Sequence, residues 1–219
     1  MLKIATRSLI PQTLSRIPLL SHRAARANMS SITTNIEGDA IKFGPFEVTK
    51  QVFLKTQHVF GLVNLKPIVP GHVLVCPLKP HRRLTDLSPE ETADLFTTVQ
   101  QTQRMLARIY FKTDNLEAGS FTVAVQDGPE AGQTVPHVHV HVLPRTKDDL
   151  GKEPDEVYVE MASETGNVGG ALWDRELGRR PSPGGSMPRI EDLSRVARTA
   201  EDMHEEADQY KAVLGEMLQ

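Results

Sequence analysis

The sequence predicts one domain in which short strands are mixed with helices, and three observations carry that prediction. Apolar runs of strand length recur between Phe53 and Leu143. A strongly capped helix start stands at Leu87 to Glu91, and an apolar stripe at helical spacing closes the chain. The 219 residues are enough to close a hydrophobic core, while an apolar content of 39% leaves part of the chain outside it.

Residues 1–36 form a basic N-terminal extension with Lys3, Arg7, Arg16, Arg23 and Arg26 and no acidic residue before Glu37. Ser8, Thr13, Ser15, Ser21 and Thr33 lie among them, the composition of a mitochondrial transit peptide, although Pro11 and Pro18 interrupt any helix. A tail upstream of a true start at Met29 is the other open reading. Without this segment the chain has 20 basic and 28 acidic residues, a net charge of −8.

The organised region follows at 37–147. Phe53-Leu54 and His58 to Leu65 read as strands, Pro70-Gly71 as a turn, and His72 to Cys76 as an apolar strand. Ser88 is an N-cap, Pro89 sits where its missing N–H costs nothing, and Glu91 closes a capping box. Leu95, Val99, Leu106 and Ile109 keep helical spacing, which carries that helix to about Tyr110. A strand is expected at Phe121 to Val125, a loop through Asp127-Gly128-Pro129 and Ala131-Gly132, and a last strand at Val138 to Leu143.

Residues 148–188 hold 7 Gly and 4 Pro, the composition of a flexible loop. Val157-Tyr158-Val159 and Ala171-Leu172-Trp173 are apolar islands able to dock on the core. In residues 189–219 the stripe Ile190, Leu193, Val196, Ala200, Met203, Ala207, Tyr210 and Leu214 predicts a helix packed on its own domain.

Composition excludes several classes. No apolar run reaches the roughly 18 residues of a membrane-spanning helix, and the lone Cys76 supports neither a disulfide framework nor an all-cysteine zinc site. The mildly acidic balance argues against a nucleic-acid scaffold. A soluble intracellular globular protein remains.

The chemistry concentrates in His137-Val138-His139-Val140-His141. On a strand, period two places the three imidazoles on one face and Val138, Val140 and Val142 on the other. A core explains the valines and leaves the histidines to be explained. A solvated histidine face is the bland reading. A metal site is the second, but a rise of about 3.3 Å per residue separates the outer Cα atoms by roughly 13 Å, too far for one zinc ion. Phosphate chemistry is the third. A row of imidazoles suits a row of phosphoryl groups, and a neutral imidazole can attack phosphorus directly. Gln126, Gln133, Thr134 and the backbone N–H groups of Gly128 to Val135 add donors, the last as an anion-binding nest. Asp127 and Glu130 have the wrong sign for phosphate and are expected to hold the loop.

His137-Val-His-Val-His-Val-Leu143 resembles the signature of the histidine triad (HIT) family. Gln126 to Val135 and Leu62 to Pro77 resemble the branch named for the fragile histidine triad protein, whose members hydrolyse dinucleoside polyphosphates, typically diadenosine triphosphate. The resemblance covers roughly Ile41 to Arg145, and the long loop and C-terminal helix suggest a fungal-type member. It implies an α+β fold, a HIT-like antiparallel β-sheet with packed helices and an extended C-terminal helix, assembled as a homodimer. By resemblance His139 is the nucleophile, flanked by His137 and His141, with Thr134 near the leaving group. Asn64 matches a ribose contact, while Gln126, Gly132, Gln133, Thr134, Val135 and His141 match substrate-binding positions.

His72 fits the family pattern too but opens an apolar strand, where a structural role is favoured. Cys76 reads as a buried core thiol, and no role is evident for His58, His81 or His204. Two departures stand out: Pro136 replaces a lysine of animal relatives, and no histidine lies near Phe43-Gly44-Pro45-Phe46.

The resemblance implies cleavage of diadenosine triphosphate to AMP and ADP through a nucleotidyl-histidine, with activity falling below about pH 6 as imidazole protonates. Mg²⁺ or Mn²⁺ is expected to arrive with the nucleotide and not in a protein cage. A sister-branch phosphoramidase or adenylate hydrolase, a slowly turning-over dinucleotide-binding signalling protein and a metal enzyme are the alternatives. The expected partners include no nucleic acid and no membrane. The expected location is cytoplasmic or nuclear, or mitochondrial if residues 1–36 direct import.

Overall fold

The computed structural model describes residues 32–36, 38–147, 149, 157, 172–173, 175–178 and 197–219. Its centre is a five-stranded sheet of β3 (Val52–Lys55), β4 (Val59–Val63), β5 (Val73–Pro77), β6 (Ser120–Val125) and β7 (Val140–Arg145), in the order β3-β4-β5-β7-β6. Every neighbouring pair is antiparallel. A separate hairpin, β1 (Lys42–Phe43) and β2 (Phe46–Glu47), precedes the sheet and was not evident from sequence pattern, since two residues per strand show no period. Gly44 turns it at φ +58°, and a Cβ there would meet Val135 Cγ1 at 2.5 Å.

The long helix α1 (Pro89–Leu106) begins as its sequence dictates. Ser88 Oγ accepts from the Glu91 amide, and the Glu91 carboxylate accepts from the Ser88 amide at 2.8 Å. Such caps contribute about 1 kcal/mol. The helix continues as a wider turn through Ala107–Phe111 and stops at Lys112, whose φ is +55°. The C-terminal helix α2 (Ala200–Met217) has the same box from Thr199 and Asp202. Met203, Ala207, Tyr210 and Leu214 of the predicted stripe are its buried face, packed on β3, β4 and α1. Ile190, Leu193 and Val196, the stripe's first members, lie outside the described residues. Among the described residues no helix is long and apolar enough to cross a membrane.

Ile32 is buried and Thr33 pairs with Lys55, so the end of the basic extension covers the outer edge of β3. The described residues of the apolar islands reach the core: Val157 packs with Val69 and Leu143, and Leu172 joins the main cluster, while Tyr158, Val159 and Ala171 lie outside the described residues. A polar clamp ties α2 to the sheet. Arg198 donates through its guanidinium to the Asn64 carbonyl at 2.6 Å and through its amide to Leu65 O at 3.1 Å. Glu206 holds that guanidinium at 2.6 Å and accepts from Tyr210, whose hydroxyl meets Tyr110 at 2.8 Å.

Candidate active site

The three triad histidines are 0–2% exposed, and each has different partners. The ladder begins at Val140, two residues later than the alternation predicts. The amide of Val138 bonds instead to His81 O at 2.8 Å, and that of His137 closes a tight turn on Val135 O. Only His141 therefore sits in the ladder, opposite Leu74 and Ala124, while His137 and His139 lie on the approach to it.

His137 has both ring nitrogens engaged by backbone. Nδ1 accepts from the Gly44 amide at 3.1 Å, so Nε2 carries the hydrogen and donates to Pro77 O at 2.7 Å. Burial pushes its pKa down to about 4, against the opposing effect of the Pro77 carbonyl. Packed between Phe43 and Phe60, this ring joins the hairpin to β5 and offers no nitrogen to a ligand.

His139 Nδ1 lies 2.9 Å from the His137 carbonyl. A carbonyl only accepts, so Nδ1 bears the hydrogen and Nε2 keeps the lone pair. Burial lowers this pKa also, and Phe43 packs edge-on against the ring at 5.1 Å.

His141 is set by His72, for which the sequence favours a structural role. His72 Nδ1 accepts from the Ile68 amide at 3.2 Å, so its Nε2–H donates to His141 Nδ1 at 3.0 Å. His141 consequently carries its hydrogen on Nε2, a buried atom without a partner among the described residues. Burial first, then the neighbouring imidazoles, hold its pKa well below the usual range. The result is a neutral donor whose ring lies 4.8 Å from that of the His139 nucleophile candidate. The amide of Asn64 rests against the His72 ring at 3.2 Å, and its Oδ1 accepts from Lys66 N. Asn64 is fully buried here and positions His72.

The remaining predicted residues line the loop before the triad. Gln126 lies against Gly132, where φ is +92° and a Cβ would approach Gln126 Nε2 to 2.7 Å. Gln133 donates to Arg82 O at 2.9 Å, and Thr134 offers its carbonyl to the Trp173 indole at 3.2 Å. The Val135 side chain is core, so any contact from it is through backbone. The expected nest is largely closed: amides of Gly128, Ala131, Gly132 and Gln133 bond within the loop itself around the turn Pro129–Ala131. Asp127 does hold the loop, accepting from Leu84 N at 2.8 Å and Arg83 Nε at 3.2 Å; the Leu84 amide, more than the arginine, lowers its pKa. His81 also gains a place, with Nε2 at 3.0 Å from Glu91 and its carbonyl on Val138.

Comparison with known proteins places these features in context. The HIT domain family model matches residues 45–148. The chain is 41% identical over 178 residues to the asymmetrical bis(5'-nucleosyl)-tetraphosphatase of Schizosaccharomyces pombe, covering 80% of this chain and 94% of that one. It is 38% identical over 172 residues to a bifunctional bis(5'-adenosyl)-triphosphatase/adenylylsulfatase of Arabidopsis thaliana, covering 78% and 82%. The crystal structure of Plasmodium falciparum diadenosine triphosphate hydrolase in complex with Cyclomarin A superposes with a TM-score of 0.61. Its identity is 26%, over 89% of this chain and 99% of that one.

Proposed function

Because the chain belongs to the histidine triad family, we propose that it hydrolyses dinucleoside polyphosphates, with diadenosine triphosphate cleaved to AMP and ADP. The relatives named as tetraphosphatase and triphosphatases support this reading. The observation that carries it is the pair of set tautomers: a lone pair on His139 Nε2 beside a hydrogen on His141 Nε2.

His139 Nε2 attacks the α-phosphorus, a nitrogen–phosphorus bond forms, and the bond to the bridging oxygen breaks with departure of ADP. The His137 carbonyl, already bonded to Nδ1–H, stabilises the positive charge that the adenylylated ring acquires. Charge gathering on the phosphoryl oxygens meets the His141 Nε2–H, a buried donor set before the reaction begins, with Gln126 as a further contact. Water then cleaves the phosphoramidate, releasing AMP and restoring neutral His139. Adenylyl sulfate is a second substrate to test, given the plant relative's name, because the same attack serves any leaving group on that phosphorus. Hydrolysis of diadenosine triphosphate in ¹⁸O-labelled water tests the scheme. Equal AMP and ADP with label in AMP alone supports it, whereas label in ADP refutes attack at the α-phosphorus.

Mg²⁺ or Mn²⁺ accompanies the phosphates as part of the substrate. Two copies join into a homodimer through β6, an outer strand with Val123 41% exposed, whereas the opposite edge is covered by Thr33. Residues 1–36 direct part of the protein to mitochondria; a reporter carrying them that stays diffuse in the cytosol refutes this.

A further inference from the structure

A cleft of about 490 Å³ opens beside the triad loop, lined by Arg82, Arg83, Gln133, Thr134, Pro136 and Trp173 among others. That volume suits a nucleotide, since small-molecule sites run from about 300 to 1,000 Å³. Three of these residues, Gln133, Thr134 and Pro136, belong to the segment that runs directly into His137, so the cleft opens on the loop that leads into the triad.

Two arginines and one carboxylate, Asp86, line the cleft, and they are held differently. Arg83 is held by Asp127 at 3.2 Å, and Asp86 accepts from the Arg83 amide at 3.0 Å. Arg82 has no ion pair among the described residues, and its backbone is fixed because its carbonyl receives the Gln133 amide at 2.9 Å. Its guanidinium is exposed and carries five donors suited to phosphate.

An aromatic wall borders the same cleft. Trp173 is anchored twice, by its indole N–H on Thr134 O at 3.2 Å and by edge-on packing against Phe46 at 5.3 Å. The ring remains half-buried and borders the cleft, a surface on which any nucleobase can stack.

We propose that this cleft receives the leaving nucleotide, the nucleoside di- or triphosphate expelled as His139 is adenylylated, with its base beside Trp173 and its terminal phosphate on Arg82. The assignment rests on the hydrolase reading above and extends it to the half of the substrate that His139 does not hold. It makes Arg82 a residue that discriminates leaving groups by charge.

Trp173 is the single tryptophan of the chain, so intrinsic emission reports from this cleft alone. Titration of the full-length protein with ADP should change that emission saturably. Arg82→Ala should weaken ADP about tenfold and Arg82→Lys should recover part of the loss, as expected for a charge-assisted contact. Emission that ADP does not move, or an equal midpoint in Arg82→Ala, overturns the proposal. A second readout is the ratio of kcat/KM for diadenosine triphosphate over that for the p-nitrophenyl ester of AMP, whose leaving group has no phosphate. That ratio should fall about tenfold in Arg82→Ala; an unaltered ratio overturns the subsite. Wild-type protein that hydrolyses neither compound yet binds ADP through Arg82 would instead sink the hydrolase reading and leave a nucleotide site standing.

Discussion

Mild acid should destabilise this protein through its buried triad before its carboxylates titrate. His137 has its pKa pushed from 6.5 down to about 4, chiefly by burial. Protonation therefore favours the unfolded chain, which binds the extra proton first. Stability is complete above the ordinary imidazole value and is lost as pH falls from 6.5 toward 4. At about 1.4 kcal/mol per pH unit, acidification from about pH 7.5 to 5 costs about 2 kcal/mol through His137 alone. His139 and His141 are depressed by the same burial and deepen the loss. Hydrogen bonds hold the carboxyls of Glu91, Asp127 and Asp202 below the usual carboxylate range, so they stay charged throughout this window. Urea unfolding followed by circular dichroism at several pH values, analysed with a common slope, measures the effect. His137→Gln should flatten the profile by about one proton per molecule whatever its own stability. Unfolding free energy that stays level within about 0.5 kcal/mol between pH 7.5 and 5 would refute the reasoning, because a neutral imidazole buried on two backbone groups must resist protonation.

Two substitutions test the chemistry. His139→Asn should lose at least about a thousandfold in turnover while diadenosine triphosphate still binds by calorimetry, since only the nucleophile is gone; near-wild-type rates would end its assignment. His72→Phe removes the donor to His141 Nδ1 and frees the wrong tautomer, lowering kcat by about a hundredfold. Nitrogen-15 spectra should then show the His141 hydrogen leaving Nε2, and an unmoved tautomer with unmoved kcat would make His72 purely structural.

The parts legible in the sequence are those decided locally. Ser88, Pro89 and Glu91 encode the start of α1 within four residues, and the cap forms as read. The spacing of Met203, Ala207, Tyr210 and Leu214 likewise encodes one buried face of α2. What the alternation of His137 to His141 could not reveal is which nitrogens are already taken. The partners of His137, Gly44 and Pro77, are 93 and 60 residues away, and their bonds turn an apparent phosphate ligand into a strut. The start of β7 moved for a related reason, because the carbonyl of His81 captures the Val138 amide. His72 looked like a strand opener, but its ring is what sets the tautomer of His141. Burial also lowers the pKa of His139 below that of a solvated imidazole, an effect that the local sequence does not reveal.

The clamp from Arg198 has a consequence for biosynthesis. Strands β3 to β7 and every imidazole of the site are translated before it, yet the carbonyl of Asn64 waits for a guanidinium 134 residues downstream. Domains begin to fold while synthesis continues, so the sheet can close and the triad can gather with the support of Asn64 still missing. A premature stop between Arg145 and Arg198 thus leaves a chain that has its whole signature and lacks the tie behind it. Competence arrives only when Arg198 has left the ribosome and reached Asn64.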